Sequence, residues 1–244
     1  MSAEYKYATF TNVGSRSINE DSIGVFKNEN GNCFILCDGL GGHGMGDVAS
    51  KLVVDTFEEI YKNNKNPEAF FDEAFTISQK RLLDKQKELK AARKMKTTAV
   101  SIVTNKNEIY VGHIGDSRGY IFKHNKVKMR TLDHSVPQML VLSKEIKESE
   151  IRNHPDRNIV LKVLGVASEK KEFDLMKPIK ARQCQALLLC SDGFWELIEE
   201  DDMCKLLSKA KSVEEWLKDM VDVVAKNGKG KDMDNFSAIA VWKL

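Results

Sequence analysis

The chain lacks any apolar run near the roughly 20 residues that a membrane-spanning helix needs. Its first ten residues also lack the basic-then-apolar pattern of a secretion signal. No charge excess is present, because 38 basic and 36 acidic residues leave a net charge of +2. A balance of this kind predicts no strong attraction to nucleic acid or to an anionic membrane. We therefore expect a protein that binds neither.

Cysteine is sparse, with five residues, an odd number without the spacing of zinc ligands. This predicts reduced thiols and a cytoplasmic location. Cys33 and Cys37 lie in an apolar run, so we expect them to pack in the core. The 244 residues are 42% hydrophobic and 30% charged, which is typical of a globular protein. Length alone would permit one large domain or two small ones.

Glycine, by contrast, is concentrated in one place. Five glycines fall within the eight residues 39–46, directly after the apolar run Phe34–Cys37 and Asp38. Apolar residues then recur at helical spacing and predict a helix over about 46–63. The unit is a strand, a carboxylate, a glycine-rich turn and a helix. A carboxylate at a strand end beside such a turn is a natural place for a cation.

The order of predicted elements indicates the fold class. Strands joined by short turns come before and after two pairs of helices, the second helix of the first pair beginning at Pro67. Such short connections require mostly antiparallel strands. We therefore predict an α+β fold, a four-layer αββα sandwich of two antiparallel sheets flanked by helix pairs, as a single domain over 1–244. The stretch 131–165 is less regular and predicts an inserted, partly helical loop region.

Two features have ordinary explanations that we prefer. The basic stretch 85–96 is interpreted as a solvated helix end, where positive charge is favourable; the alternative is a docking patch for acidic or phosphorylated partners. Four histidines are interpreted as surface or loop residues: His113, His124, His134 and His154.

Several acidic residues lie at or near the ends of apolar runs: Asp38, Asp116, Asp192 and Asp234. Strand ends at one edge of a sandwich bring distant acids together, and close carboxylates repel one another unless a cation binds. Ligands that are all oxygen select hard ions, so we predict Mg²⁺ or Mn²⁺. The backbone carbonyl of Gly39 could join the metal shell, and Glu20 could hold a metal-bound water.

A site with two metals and a nearby arginine suits phosphoryl chemistry. The metals acidify a water between them and neutralise charge on a phosphate. Arg16 would provide a fork that grips two phosphate oxygens. Competing motifs fit less well: Gly39-x-Gly41-x-x-Gly44 matches a dinucleotide fingerprint, but a second helix follows where a parallel strand is needed. Asp47-Val48 stands where a P-loop needs Lys-Ser/Thr.

An ordered set of motifs resembles the metal-dependent protein phosphatases (the PPM, or type 2C, family), and most closely their compact bacterial-type members. The motifs cover nearly the whole chain: Arg16-Ser-Ile-Asn-Glu-Asp21, Asp38-Gly-Leu-Gly-Gly-His43, Thr97-Thr98, Gly115-Asp-Ser-Arg118, Asp133-His-Ser135, Arg157-Asn158, Leu164-Gly165, Ser191-Asp-Gly193 and Asp234-Asn235.

The resemblance implies an enzyme that hydrolyses phosphoserine and phosphothreonine in proteins, opposing a Ser/Thr kinase, and we expect it to be a monomer. By motif, Asp38, Asp192 and Asp234 would hold one metal. Asp38 and the Gly39 carbonyl would hold the second, with Glu20 acting through water. Asp116 with Asp192 would form a weaker third site. Arg16 would bind the phosphate, and a flap at about 134–160 would lie beside the active site.

The chain departs from the family pattern at two positions. Leu40 stands where some members have a histidine proposed as general acid, which leaves the leaving-group proton unassigned; a metal-bound water is our first hypothesis and His43 the second. Lys96 stands where glycine is usual, and we expect only a local backbone effect. The alternative function is a catalytically inactive relative that binds phosphoproteins or a regulatory partner. Loss of the metal-binding acids would mark such a relative, and in this chain all of these acids are present.

Overall fold

The computed structural model of the chain describes residues 5–40, 44–64, 66–91, 94–168 and 170–244. Its strands are β1 (Tyr5–Asn12), β2 (Asp21–Asn28), β3 (Gly31–Leu40), β4 (Lys96–Thr97), β5 (Ala99–Thr104), β6 (Glu108–Ile114), β7 (Arg118–Lys123), β8 (Lys126–Arg130), β9 (Asp174–Leu175), β10 (Ile179–Lys180), β11 (Ala186–Cys190) and β12 (Phe236–Lys243). Its α-helices are α1 (Gly46–Asn63), α2 (Pro67–Glu88), α3 (Val136–Leu142), α4 (Asp192–Trp195), α5 (Glu200–Lys209) and α6 (Val213–Gly228). Turns of 3-10 helix cover Glu148–Asn153 and Ala181–Gln183.

The strands form two antiparallel sheets. The first sheet has the order β1-β12-β11-β7-β8. The second has the order β10-β6-β5-β3-β2, with β4 beside β3 and β9 beside β6. The pairing along both sheets is antiparallel, as the short connections predict.

Alternation along the central strands produces the layers, because successive side chains of a strand point to opposite faces. In β3, Ile35 and its alternate neighbours pack with α1 and α2, whereas Phe34 and Leu36 pack between the sheets. In β11, Leu188 faces α5 and α6, whereas Leu187 faces the other sheet. Both strands are therefore apolar on two faces. The predicted four-layer sandwich is confirmed.

Several element boundaries match the sequence pattern. Helix α1 covers the predicted range, and α2 begins at Pro67. Helix α6 ends at Gly228. The cysteines are free, and Cys33 and Cys37 are buried as expected. Within the described ranges, no helix combines the length and the apolar character needed to cross a bilayer.

The interpretation of His113 as a surface or loop residue is wrong. His113 lies in β6, a strand buried on both faces, and its side chain is buried. The stretch 131–165 does contain the expected short helices, α3 and the 3-10 turn at Glu148–Asn153.

Candidate active site

The end of strand β3 carries Asp38, and two threonines hold its backbone. The Thr98 N–H and the Thr97 hydroxyl both donate to the Asp38 carbonyl at 2.8 Å. In return, the Asp38 N–H donates to the Thr98 hydroxyl at 3.1 Å. Since both bonding groups of the Asp38 backbone are occupied, the carboxylate projects from a fixed point. The Thr97-Thr98 motif therefore positions Asp38.

A close backbone approach brings Glu20 beside this strand end. The Gly39 N–H donates to the Glu20 carbonyl at 3.1 Å, and the Gly46 N–H donates to the Glu20 carboxylate at 3.0 Å. A Cβ on Gly39 would lie 2.3 Å from the Gly46 carbonyl oxygen. The two glycines thus permit a contact that a side chain would prevent. Burial raises the pKa of Glu20.

The short helix α4 fixes two more predicted acids. Asp192 is its first residue, and its carboxylate accepts the Gly193 N–H at 2.6 Å. Trp195 of the same helix donates its indole N–H to the backbone carbonyl of Asp116 at 3.0 Å. The hydroxyls of Ser117 and Thr98 lie 2.7 Å apart, which links the Asp116 loop to the strand of Asp38.

The acids are close enough to perturb one another. Burial, followed by the charge of Asp192, raises the pKa of Asp38 and that of Asp116 well above the ordinary range. Burial, followed by the charge of Asp234, raises the pKa of Asp192. Buried carboxylates that disfavour one another's charge are the electrostatic setting that a divalent cation relieves. This oxygen donor set fits Mg²⁺ or Mn²⁺.

Arg16 and Asp234 meet across 218 residues of sequence. The Arg16 Nε and Nη2 atoms donate to the two Asp234 oxygens at 3.0 and 2.9 Å, and both side chains are about half exposed. Asn235 secures this loop, because its amide donates to the carbonyls of Val13 and Ile18 and its oxygen accepts the Glu20 N–H. The predicted phosphate ligand therefore lies beside the acids, engaged with one of them.

Asp21 is a site residue to which the sequence analysis gave no role. It pairs with Asp38 across β2 and β3, and its carboxylate accepts the Ser191 hydroxyl at 2.9 Å. Burial raises the pKa of Asp21 to about 7. Its other carboxylate oxygen is buried without a hydrogen-bond partner. The available signal was its position next to Glu20 at the start of a strand.

A cavity of about 650 Å³ collects most of the predicted site residues. Those that line it are Arg16, Glu20, Asp38, Gly39, Asp192 and Asp234. Asp116 does not line this cavity and is only 3% exposed. Asn158 and Val160 of the predicted flap segment form part of the wall. His43 lies outside the described residues.

Comparison with known proteins agrees with this geometry. The family model described as Protein phosphatase 2C matches residues 11–236. The chain belongs to the protein phosphatase 2C family. It is 33% identical over 234 residues to the serine/threonine phosphatase stp of Listeria welshimeri, an alignment that covers 93% of this chain and 90% of the relative.

Solved structures of phosphatases share the fold over nearly the whole chain. The serine/threonine phosphatase Stp1 from Staphylococcus aureus superposes with a TM-score of 0.90 at 28% identity, covering 99% of this chain and 96% of Stp1. The catalytic domain of the serine/threonine protein phosphatase PstP, in complex with two manganese ions, gives a TM-score of 0.82 at 25% identity, covering 98% of each chain.

Two motif residues of this phosphatase 2C chain serve the scaffold. The Arg118 guanidinium donates to both oxygens of Asp133, at 2.9 and 2.6 Å, and both residues are buried. The same guanidinium lies 3.4 Å from the centre of the Trp195 ring. Because Trp195 also donates a hydrogen bond to the backbone carbonyl of Asp116, this buried ion pair supports the loop that carries Asp116.

Hydrogen bonds join the two ends of the segment that was predicted as a flap. The His134 carbonyl accepts the Leu161 N–H at 2.7 Å, and the Ile159 carbonyl accepts the Val136 N–H at 3.0 Å. The chain between these hydrogen bonds forms a long loop that contains helix α3. Near the C-terminal end of this loop, Asn158 and Val160 line the cavity.

Proposed function

We propose that this phosphatase 2C chain hydrolyses phosphoserine and phosphothreonine in proteins, using divalent cations held by the acids of the active-site cavity. The observation that carries the proposal is the convergence of Asp38, Asp192 and Asp234 on one cavity that also contains Arg16. The phosphatase relatives support the same activity.

The donor set suggests how the cations would be shared. Asp38, Asp192 and Asp234 would hold one ion, and Asp38 with the Gly39 carbonyl would hold a second, with Glu20 acting through water. Asp116 with Asp192 would offer a weaker third site. When bound, such ions lower the pKa of a water molecule and neutralise charge on the phosphate. The manganese-bound PstP structure makes Mn²⁺ the first ion to test.

Arg16 is proposed to bind the substrate phosphate. Its fork already grips two carboxylate oxygens of Asp234, and the same geometry matches two phosphate oxygens. For the proton required by the leaving serine or threonine oxygen, we propose a water molecule at the metal site. His43 is the second candidate, and an unchanged rate on a phosphopeptide in His43→Ala would remove it.

We also propose that the chain acts as a monomer in the cytoplasm, on phosphoproteins made by a Ser/Thr kinase. The balanced charge and the unpaired cysteines support this setting.

The test is hydrolysis of p-nitrophenyl phosphate and of a phosphothreonine peptide, with Mn²⁺ and after chelation. We expect Asp38→Ala and Asp192→Ala to lower kcat/KM by about a hundredfold or more, because each removes a proposed metal ligand. Asp222→Ala is the matched control, since Asp222 is exposed and pairs only with Lys218 among the described residues. Activity that survives chelation, or persists in both site variants, would contradict the proposal.

A further inference from the structure

Among the described residues, two cationic side chains line the active-site cavity, and they differ in their partners. Arg16 forms a bidentate ion pair with Asp234. Lys96 lines the same cavity. Among the residues that the structure describes, no carboxylate lies within 4.0 Å of the Lys96 ammonium group. Lys96 is thus the cation that this cavity leaves available.

The backbone of Lys96 is fixed on both sides. Strand β4 pairs with β3 so that Lys96 lies opposite Leu40 and Thr97 lies opposite Gly39. Thr97 also exchanges two backbone hydrogen bonds with Leu164, at 3.1 and 2.9 Å. Lys96 therefore lies in a two-residue strand, β4, which we call the ribbon. The ribbon lies between β3, which carries Asp38, and the chain just after the flap segment.

A buried side chain locks the start of this ribbon. The Gln86 side-chain amide donates to the backbone carbonyls of Met95 and Gly165, each at 2.7 Å, so it joins the two chain segments directly. Gln86 itself is 4% exposed. The position of the Lys96 backbone is consequently set by the core and needs no ligand to form.

The pairing also determines the direction of the Lys96 side chain. Directly opposed residues of an antiparallel pair project to the same face, and both Leu40 and Lys96 line the cavity. Thr97 projects the other way and donates to Asp38. The apolar side chains of Leu40, Val160 and Val163 share the cavity wall with Lys96. They suit its methylene groups, while its ammonium group remains open to water or to an anionic group of a bound substrate.

The cavity has room for more than a phosphate. A cube of 650 Å³ has an edge of about 9 Å, the length of two to three extended residues. With Arg16 assigned to the phosphate, the remaining space would hold the polypeptide that flanks the phosphorylated residue.

We propose that Lys96 binds the side-chain carboxylate of an aspartate or glutamate within about two residues of the phosphorylated residue, and so makes this chain prefer acidic phosphopeptides. The inference rests on the proposed phosphatase function. It also replaces the expectation that Lys96 has only a local backbone effect.

The experiment compares phosphothreonine peptides that are identical except for Glu, Gln or Lys at one flanking position, placed in turn at each of the two residues on either side. The readout is the ratio of kcat/KM for the Glu peptide to that for the Gln peptide, so a general change in activity cancels. At one position at least, we expect the wild-type chain to favour Glu about five-fold, the size of a modest ion pair, mainly through KM.

Variants at position 96 then assign the preference. We expect Lys96→Gln to bring the ratio to about one, Lys96→Arg to retain it, and Lys96→Glu to favour the Lys peptide instead. Lys94→Gln is the matched control, because Lys94 is exposed two residues away and does not line the cavity.

Two results would overturn the inference while leaving the phosphatase function intact. The first is a wild-type chain that hydrolyses Glu and Gln peptides equally at all four positions. The second is a Lys96→Gln variant that loses activity equally on every peptide and on p-nitrophenyl phosphate, which would place Lys96 on the phosphate itself. Failure of the proposed function would look different, as an absence of metal-dependent hydrolysis of any of these substrates.

Discussion

At the scale of single residues, the active site depends on a contact that tolerates no side chain. Gly39 and Gly46 approach so closely that a Cβ on Gly39 would lie 2.3 Å from the Gly46 carbonyl oxygen and 2.6 Å from that of Glu20. Both of these are backbone atoms, so neither can rotate away. To make room for the Cβ atom, strand β3 and the start of α1 would have to move apart.

We therefore expect Gly39→Ala to lower the free energy of unfolding by about 2–3 kcal/mol and to reduce metal-dependent hydrolysis. Urea denaturation and p-nitrophenyl phosphate turnover measure the two effects. Gly230→Ala is the control, because its Cβ would meet open space, although its φ of +81° still carries some strain. Equal stability of the two variants would mean that the backbone at Gly39 adjusts freely.

The identity of a residue predicts its chemical role better than it predicts which residues it contacts in the fold. Strand-end position and acidity suffice to select Asp38, Asp192 and Asp234. They do not reveal that Asp21 faces Asp38, because the register of two strands depends on turn geometry and packing. For the same reason the cavity position of Lys96 follows only from its pairing with Leu40.

At the scale of elements, His113 of strand β6 and His134 of the chain just before α3 form a pair outside the proposed active site. The rings of His113 and His134 stack with centres 4.8 Å apart, and His134 Nε2 lies 3.2 Å from an Asp174 oxygen. His113 Nε2 lies 2.8 Å from the Leu132 carbonyl and must donate to it. The pair thus connects β6 to β9 and to the chain that enters the flap segment.

The three side chains lie close enough to suggest a metal site, but the proton positions argue against one. The Gly115 N–H donates to His134 Nδ1 at 3.1 Å, so the neutral ring carries its proton on Nε2, the atom that faces Asp174. A metal ligand needs a free nitrogen lone pair there. We interpret His113, His134 and Asp174 as a structural cluster that joins β6 to β9, and call it the clasp.

This clasp should weaken in acid. Burial, followed by the neighbouring His134, lowers the pKa of His113 from 6.5 to about 4. Below pH 6.5 the unfolded chain therefore binds more protons than the folded chain, and stability falls as the pH falls towards 4. The other charged groups that act on His113 are Asp174 and Asp133, which favour protonation.

We expect His113 to account for a loss of about 2 kcal/mol of unfolding free energy between pH 7.5 and pH 5. Urea denaturation of His113→Asn at both pH values should show a loss smaller by about that amount. His124→Asn is the control, because His124 lies in a turn where asparagine tolerates the positive φ. Parallel pH profiles for the wild type and His113→Asn would refute this role.

Elements with a long apolar period are predictable from the sequence, and short ones are not. Helix α1 has apolar residues at helical spacing over its whole length, and its bounds match the prediction. Strands β4, β9 and β10 have two residues each, too few for any period to appear. His113 was misassigned because a strand buried on both faces places a polar residue in the core without an alternating pattern.

At the scale of the whole molecule, the proposed metal ligands come from both sheets. Asp38 lies near the end of β3 in the second sheet, whereas Asp192 follows β11 and Asp234 precedes β12 of the first sheet. A cation held among them would join the two halves of the sandwich. Without a cation, burial and the charge of Asp192 raise the pKa of Asp38 well above the ordinary range, so this carboxylate opposes folding at neutral pH.

We therefore expect Mn²⁺ to reverse the order of stability of the wild type and Asp38→Asn. In chelator at neutral pH, we expect Asp38→Asn to unfold at higher urea than the wild type, because asparagine removes an acid that is more easily ionised in the unfolded chain. In Mn²⁺ at 100 times its dissociation constant, the wild type should gain about 2.7 kcal/mol and Asp38→Asn much less. Asp222→Asn, an exposed control, should follow the wild type in both conditions. An order of stability that stays the same with and without Mn²⁺ would show that Asp38 does not join the two sheets through a cation.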